Sequence, residues 1–392
     1  MNTIDKAIRS EKEELRKSKK NRKNNKKIDN KDKKTIKIKN IFSTLFLLGS
    51  IGIFTLLVLL YGPWSNFRDW LITSAMTTMN HQYLATWFFD DKVINNVLNN
   101  NKVFEIEENT NLDLIQSVAE DADIEIPTTF ENDYERQILQ RDSKNNDYKI
   151  IEINGSGYNG YLVAIYNPSR IQTVATKYLG SSGQYLTKMA EENDALVAIN
   201  AGGFDDANFE GTGGSPLGIT ISNGKYLTQR DYSGTGGLVG FTRENKLICG
   251  KYTVSEAQKL GVRDGVTFGP FLIVNGEPAK VRGNGGWGTA PRSAIGQRKD
   301  GVVLFLVING RTATCPGATM NDLIEIMQNY GAYNACNLDG GTSSALVVNN
   351  TIVNDPIDSS GNHRTRPVST CFILKKDSSD DSDHTVVKDK LK

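Results

Sequence analysis

The sequence predicts an α+β protein in which one domain, rich in mixed β-sheet, follows a single N-terminal transmembrane helix and a partly helical stalk. An uncharged apolar run fills residues 41–61. Between residues 146 and 375, short β-rich runs follow one another with frequent glycines. Strands outnumber helices there without regular alternation, which is typical of an α+β domain.

The run at 41–61 is long enough to cross a bilayer, because about 20 residues rising ~1.5 Å each span the ~30 Å hydrocarbon layer. It exceeds the roughly 7–15 apolar residues of a cleaved signal peptide, and a long charged segment precedes it. A buried core helix would need a core that surrounds every face. We therefore expect an uncleaved signal anchor.

Charge is distributed unevenly along the chain. Residues 1–40 hold 16 Lys and Arg against 6 Asp and Glu, a net charge of +10, whereas the whole chain carries +1. Basic residues beside a span stay cytoplasmic, so we expect a disordered cytoplasmic arm and a single-pass cell-membrane protein with its C-terminal domain outside the cytoplasm. A basic arm also suits nucleic acid. Topology and anionic lipids explain it here, so no nucleic-acid partner is expected.

The flanks of the domain carry weaker signals. Residues 62–145 predict a juxtamembrane helix, from an apolar stripe between Phe67 and Trp87, and then a stalk rich in Asn, Asp and Glu. Residues 376–392 predict a disordered charged tail.

Seven apolar runs predict strands within residues 146–375. They are Lys149–Ile153, Tyr161–Tyr166, Leu196–Ile199, Val266–Val274, Val302–Ile308, Ala345–Val348 and Thr370–Leu374. Thr319 and Asp322 resemble a capping box before an apolar helical face that Gly331 ends. Lys177–Glu192 predicts a second helix.

The cysteines are Cys249, Cys315, Cys336 and Cys371. All lie in the part predicted to be exported, where disulfides form. Three full pairings are possible, and four buried free thiols are at least as good an interpretation, because a domain of this size needs no covalent staple.

The first candidate site is Asn200-Ala201-Gly202-Gly203-Phe204-Asp205, directly after an apolar run. A loop at a strand end places side chains over a rigid sheet, and its glycines permit close approach of a ligand. We interpret Asn200, Gly202 and Gly203 as substrate-binding residues. A plain turn with a solvated Asp205 is the alternative.

The second candidate site is Asn337–Ser344, where Asp339 stands at the end of a short predicted strand. Successive backbone N–H groups after it predict an anion-binding nest. A carboxylate beside an anion pocket suits acid or base work on a phosphorylated substrate. The candidate phosphate-binding residues are Gly340, Gly341, Thr342 and Ser343. A Gly-rich turn closed by an Asp hydrogen bond is the alternative.

Three arginines form the third candidate. Arg292 leads an apolar stretch, and a buried guanidinium needs a partner, which a phosphate or a structural Asp would provide. Arg311 and Arg366 are further cations at strand ends. The loop at 283–288 lacks a phosphate-binding glycine pattern, but its Trp287 could stack on a sugar.

No metal or cofactor is expected. The chain has no HExxH, no GxSxG and no metal-ligand cluster, and its histidines are His81, His363 and His384. Only His363 falls inside the predicted domain, which excludes a multi-histidine zinc site.

Seven blocks in order resemble the phosphodiester glycosidase family. They are NAGGFD at 200–205, GPFLIVNGE at 269–277, PRSAIG at 291–296, LVINGR at 306–311, TMNDLIEIM at 319–327, NLDGGTSSAL at 337–346 and RPVST at 366–370. Thr342 stands where the family usually has a third glycine, and Asp205 where it often has an aromatic residue.

The resemblance implies hydrolysis of a sugar phosphodiester to a free sugar and a phosphomonoester. Asp339, Asp205 and Arg292 would be the catalytic residues, with Glu210 as a reserve carboxylate, because glycoside hydrolysis commonly uses two carboxylates. An exported domain would meet phosphoglycans of the cell envelope, such as teichoic acid or exopolysaccharide. A non-catalytic glycan-binding or envelope-assembly protein, and a polysaccharide-modifying transferase, are the alternatives.

Overall fold

The structure is a computed structural model, and it describes residues 3–77, 81–116, 129–141, 146–205, 212–377 and 388–390. The chain divides into two compact units, residues 1–68 and residues 69–392.

The described helices and strands alternate irregularly along the chain. The helices are α1 Thr3–Tyr61, α2 Ser65–Met76, α3 Tyr83–Thr86, α4 Asp91–Asn100, α5 Asp133–Leu139, α6 Leu186–Glu192, α7 Val254–Lys259 and α8 Met320–Asn329. The first ten strands are β1 Lys102–Phe104, β2 Tyr148–Gly155, β3 Tyr158–Ile165, β4 Ile171–Ala175, β5 Ala195–Asn200, β6 Ile219–Ser222, β7 Lys225–Gln229, β8 Gly237–Thr242, β9 Leu247–Gly250 and β10 Val262–Phe268. The others are β11 Phe271–Val274, β12 Glu277–Pro278, β13 Lys280–Arg282, β14 Arg292–Arg298, β15 Val303–Ile308, β16 Ala332–Leu338, β17 Leu346–Val348, β18 Thr351–Ile352, β19 Thr370–Lys375 and β20 Lys388–Lys390.

The first unit is dominated by α1. Its segment Lys37–Tyr61 is 25 residues long and apolar enough to cross a membrane, by length and composition. The arm predicted to be disordered is helical from Thr3 onwards. Lys, Glu and Arg are good helix formers, and no proline interrupts them before residue 61.

The second unit confirms the predicted α+β class. One sheet has eight strands in the order β12-β11-β16-β14-β15-β3-β2-β20. Two sheets have five strands each, β7-β6-β10-β8-β9 and β18-β17-β5-β19-β4. A shared core joins all three, and in it the rings of Phe241 and Phe305 both approach Phe372. Helix α8 covers the other face of the eight-stranded sheet with Leu323 and Met327.

Each predicted strand is present, although Val266–Val274 is divided by Gly269 and Pro270 into β10 and β11. Thr319 and Asp322 form the predicted capping box of α8. The second predicted helix, Lys177–Glu192, forms only from Leu186 to Glu192.

The segment predicted to be a stalk is attached to the sheets. Strand β1 pairs antiparallel with β13, and the Glu105 carboxylate accepts hydrogen bonds from the backbone N–H groups of Gly236 (3.0 Å) and Phe271 (2.7 Å). Thr110 bonds both ways with the backbone of Cys249. Residues 117–128 lie outside the described part of the chain.

The ends of the domain hold two further findings. All four cysteines are buried free thiols, which is one of the two interpretations left open by their spacing. The tail predicted to be disordered contributes β20, which pairs parallel with the edge strand β2. An edge strand offers unpaired backbone groups for such an addition.

Strand register brings the ends of three strands together. Strand β14 runs antiparallel to both β15 and β16, with Arg292 opposite Ile308 and Ser293 opposite Leu338. The first residue of β14 therefore lies beside the last residues of its neighbours, which are followed by the Arg311 and Asp339 loops. This edge carries the site.

Candidate active site

A cleft of about 410 Å³ opens at this sheet edge. Four arginines line it, Arg292, Arg311, Arg364 and Arg366, together with Asp339. We call it the arginine cleft. Its volume falls in the range usual for small-ligand sites, about 300–1,000 Å³.

Asp339 is held by its backbone. Its N–H donates to Ala201 O at 2.9 Å, and its carbonyl accepts from Asn200 Nδ2 at 2.5 Å. The carboxylate Oδ1 accepts from Gly340 N at 3.0 Å, and the residue is half-buried. A carboxylate at the edge of such a cleft is a candidate for proton transfer.

Asn200 is completely buried, and its side chain holds the backbone of Asp339. Besides its bond to the Asp339 carbonyl, its Oδ1 accepts from Ser293 Oγ at 2.7 Å and from Ala345 N at 3.1 Å. Its side chain therefore ties β5, β14 and the Asp339 loop together. Asn200 does not line the cleft, and the described bonds of its side chain go to protein groups and not toward a ligand.

Arg292 is 5 % exposed and forms the floor of the arginine cleft. Its Nε donates to Ala318 O at 3.2 Å, and its Nη2 donates to Trp287 O at 2.5 Å and Gly288 O at 2.9 Å. No described residue accepts a hydrogen bond from Nη1. Burial, with Arg311 nearby, lowers the pKa of Arg292 to about 10, so an anion in the cleft would stabilise its charge.

Arg311 has a left-handed backbone, with φ +67°. Such a conformation is uncommon outside glycine and is held here by the bond from Arg311 N to Pro316 O at 3.1 Å. Its Nη1 donates to Thr342 Oγ1 and to Ile357 O, both at 2.7 Å. Burial lowers the pKa of Arg311, as does Arg366, while Asp358 opposes the shift.

The remaining two arginines have different partners. The guanidinium of Arg366 lies 4.5 Å from the centroid of the Phe204 ring. Arg364 is exposed and forms an ion pair with buried Asp358. Hydrogen bonds, first from the backbone N–H of Asn362 and also from Arg364, hold the pKa of Asp358 well below its usual range.

An aromatic pair forms another wall. Phe268 and Trp287 both line the arginine cleft, with ring centroids 6.4 Å apart in an edge-to-face arrangement. Asn337 also lines it, and its buried Oδ1 has no hydrogen-bond partner among the described residues. Aromatic faces and amide oxygens suit the apolar faces and hydroxyl donors of a sugar.

The predicted anion nest does not form, because three of its backbone N–H groups donate to protein acceptors. Gly340 N donates to Asp339 Oδ1, Gly341 N to Pro291 O at 2.9 Å, and Ser343 N to Gly340 O at 3.2 Å. A turn of 3-10 helix at Gly341–Ser343 directs these groups into the protein. Gly340, Gly341 and Thr342 still line the cleft, whereas Ser343 is buried.

The glycines at 202 and 203 serve packing. A Cβ on Gly202 would lie 3.0 Å from the Val266 Cβ, and one on Gly203 only 2.6 Å from the Phe268 ring. Both residues are buried. They let the chain after β5 approach β10 closely. Neither glycine lines the cleft, so this geometry does not support the predicted ligand contact.

The predicted residues therefore converge in part. Asp339, Arg292, Arg311 and Arg366 share the arginine cleft. Asp205 is exposed, donates its N–H to Ser215 O at 2.7 Å and is not among the described residues that line the cleft. Glu210 lies outside the described residues. His363 is exposed and pairs with Asp355 at 2.6 Å.

Sequence reasoning missed several cleft residues. Ser74, Thr77 and His81 come from the segment predicted to be outside the domain, and no motif marked them. Asp358 and Arg364 lie in a polar run just before Arg366. This run was the one sequence feature that could have indicated them as site residues. Among the described residues, no group of three or more His, Cys, Asp or Glu side chains is arranged to hold a metal ion.

These features define a sheet-rich α+β domain with a cationic cleft that is lined by two carboxylates, Asp339 and the ion-paired Asp358. Residues 193–375 match the sequence model of the phosphodiester glycosidase family, which confirms the resemblance drawn from the seven blocks. The SPbeta prophage-derived uncharacterized protein YomE of Bacillus subtilis (strain 168) is 29 % identical over 193 residues, covering 47 % of this chain. The chain spans 29 % of the length of that relative.

Two solved structures are also similar. The catalytic domain of zebrafish N-acetylglucosamine-1-phosphodiester alpha-N-acetylglucosaminidase, auto-inhibited by its pro-peptide, aligns with TM-score 0.49 and 21 % identity over 60 % of this chain and 86 % of that chain. A putative exported protein of Burkholderia pseudomallei aligns with TM-score 0.40 and 17 % identity, over 56 % of this chain and 74 % of that one.

Proposed function

We propose that this protein is a membrane-anchored hydrolase that cleaves the sugar–phosphate bond of glycosyl phosphodiesters outside the cytoplasm. One observation carries the proposal: a single cleft places an aromatic pair and four arginines around the half-buried carboxylate of Asp339. Arginine binds phosphate oxygens through its planar fork, and aromatic rings bind sugar faces. The match to the phosphodiester glycosidase family supports the same reaction.

In this reaction a water oxygen forms a bond to the anomeric carbon while the bond from that carbon to the phosphate oxygen breaks. The electron pair of the broken bond stays on the phosphate, which leaves as a phosphomonoester. Asp339 takes the proton of the attacking water. Arg311 and the Nη1 of Arg292, from which no described residue accepts a hydrogen bond, stabilise the charge that develops on the leaving phosphate.

The substrate we propose is a phosphoglycan of the cell envelope, such as teichoic acid or a phosphodiester-linked exopolysaccharide. The supporting observations are the apolar segment Lys37–Tyr61 and the basic residues before it, which favour export of the domain. A reporter that works only in the cytoplasm, fused after Lys392, is expected to be inactive. An active reporter would contradict this orientation.

The reaction is tested on the full chain purified in detergent, with a panel of glycosyl phosphodiesters and detection of free sugar. Asp339→Asn should lower kcat by about 10²–10⁴-fold, the usual contribution of general acid–base catalysis. Asp113→Asn is the matched control, because Asp113 is exposed and does not line the cleft. Product analysis with added alcohols separates a hydrolase, which yields the free sugar, from a transferase.

Binding without turnover of any substrate, in the wild type as in Asp339→Asn, would overturn the proposal and favour a glycan-binding protein. Equal turnover by wild type and Asp339→Asn would leave the hydrolase in place but remove Asp339 from its mechanism.

A further inference from the structure

The N-terminal segment of the second unit forms part of the arginine cleft. Ser74 and Thr77, in and just after α2, line it, and so does His81. The segment is fixed to the loop at 283–288, since Asn284 Nδ2 donates to the buried Thr73 Oγ1 at 2.8 Å. At Gly288 a Cβ would lie 2.7 Å from the Ser74 Cα, so helix and loop are in direct contact.

His81 enters a cleft in which few groups can exchange a proton. The other charged side chains that line it are Arg292, Arg311, Arg364, Arg366, Asp339 and Asp358. Arginine remains protonated in proteins. Asp358 stays ionised, because its hydrogen bonds with Asn362 and Arg364 favour the carboxylate. Among the described residues that line the cleft, this leaves Asp339 and His81 as the groups able to accept and donate protons.

We propose that His81 is the general acid of the reaction, partnered with Asp339 as the base. This inference rests on the proposed hydrolysis and assigns its second proton-transfer residue. Asp205 is the second carboxylate that the sequence predicted, but it is not one of the described residues that line the cleft. His81 does, although it precedes the family match at 193–375.

The proposed step transfers two protons, one to Asp339 and one from His81. Water gives one proton to the Asp339 carboxylate as its oxygen bonds to the anomeric carbon. The His81 imidazolium gives one proton to the phosphate oxygen that leaves that carbon. The sugar and the phosphomonoester depart, and solvent returns Asp339 to the carboxylate and His81 to the imidazolium. No oxidant, reductant or second substrate is required.

The test compares His81→Gln with His363→Gln in the full chain, in detergent, on the substrate that the wild type turns over fastest. His363 is the matched control, because it is exposed and does not line the cleft. We expect His81→Gln to lower kcat about 10²-fold, the low end for general acid–base catalysis because phosphate is already a good leaving group. KM should stay within about threefold, as expected when an interaction made only in the transition state is lost.

The pH profile separates catalysis from structure. A general acid must be protonated, so wild-type kcat should fall on the alkaline side, and His81→Gln should lack that limb. His81→Asn provides a second substitution, and the thermal unfolding midpoint of each variant shows whether it is folded. A folded His81→Gln or His81→Asn with the kcat and alkaline limb of His363→Gln would overturn the proposal.

A failure of the role proposed for His81 can be distinguished from a failure of the proposed hydrolase activity. If the wild type releases no sugar from any phosphodiester, the proposed function fails before His81 is tested. If the wild type and His363→Gln are active while His81→Gln loses activity by a rise in KM alone, His81 binds substrate and is not the acid.

Discussion

Replacing Asn200 by alanine should damage both stability and turnover, because its buried side chain makes three hydrogen bonds. The change leaves the Asp339 carbonyl, the Ser293 hydroxyl and the Ala345 N–H without their partner. At about 1 kcal/mol for each bond, the free energy of unfolding should fall by about 3 kcal/mol. For a domain of this size that corresponds to a fall of about 5–10 °C in the thermal unfolding midpoint.

The same substitution frees the loop that carries Asp339. A misplacement of about 1 Å in a reacting group costs on the order of 10²-fold in rate, so kcat should fall even in the fraction that remains folded. The assay is thermal unfolding and sugar release on the full chain, below the unfolding midpoint of the variant. Asn99→Ala is the control, because Asn99 lies exposed on α4 and should change stability by less than about 0.5 kcal/mol.

The reasoning would be refuted by an Asn200→Ala protein that loses less than about 1 kcal/mol and keeps the wild-type kcat. That result would mean that other contacts, such as the backbone bond from Asp339 to Ala201, are sufficient to position Asp339.

Three further outcomes are expected. A fragment limited to 146–375 should unfold at a lower temperature than one that begins at residue 69, because it lacks β1 and the two hydrogen bonds accepted by Glu105; equal midpoints would contradict that attachment. The pKa of Asp358 is lower in the folded state than the ordinary carboxylate value of about 4, so ionised Asp358 stabilises the fold above about pH 4. This stabilisation is lost as the pH falls toward the pKa of Asp358 in the folded state. Asp358→Asn should therefore reduce the loss of stability between about pH 4 and pH 2 relative to wild type. The four buried thiols should react with a thiol reagent only after denaturant is added, since burial raises the pKa of Cys249, Cys336 and Cys371; prompt reaction in the native protein would contradict their burial.

Periodicity predicted the parts of the fold that are built from continuous apolar runs. Strands such as β5 and β15 are buried on both faces, so every residue is apolar or nearly so and the run is visible in the sequence. Helix α8 was predictable because its capping box and its apolar face coincide. Short glycine-rich strands such as β8 carry no comparable pattern, and they were missed.

The attachment of residues 102–111 could not be predicted, because single polar side chains produce it. Glu105 and Thr110 bond to backbone groups far away in the chain, and no periodic signal accompanies such contacts. The same limit hid His81. Its place in the cleft follows from the packing of α2 on the loop at 283–288, and neither segment carries a chemical motif.

For the candidate site, residue type was a better guide than backbone geometry. Asp339, Arg292 and Arg311 lie at the ends of three neighbouring strands, and all three line the cleft. The nest failed because its formation depends on where each amide points, and the turn at Gly341–Ser343 directs its amides toward protein acceptors.

The central position of β14 restricts how this domain can diversify. Arg292 meets the Arg311 and Asp339 loops only because β14 keeps register with both of its neighbours at once. One inserted residue in β14 would turn its side chains to the opposite face of the sheet. Homologues that adapt to new ligands should therefore vary the length of the loops around the cleft, such as 283–288 and 355–366, and conserve the lengths of these three strands.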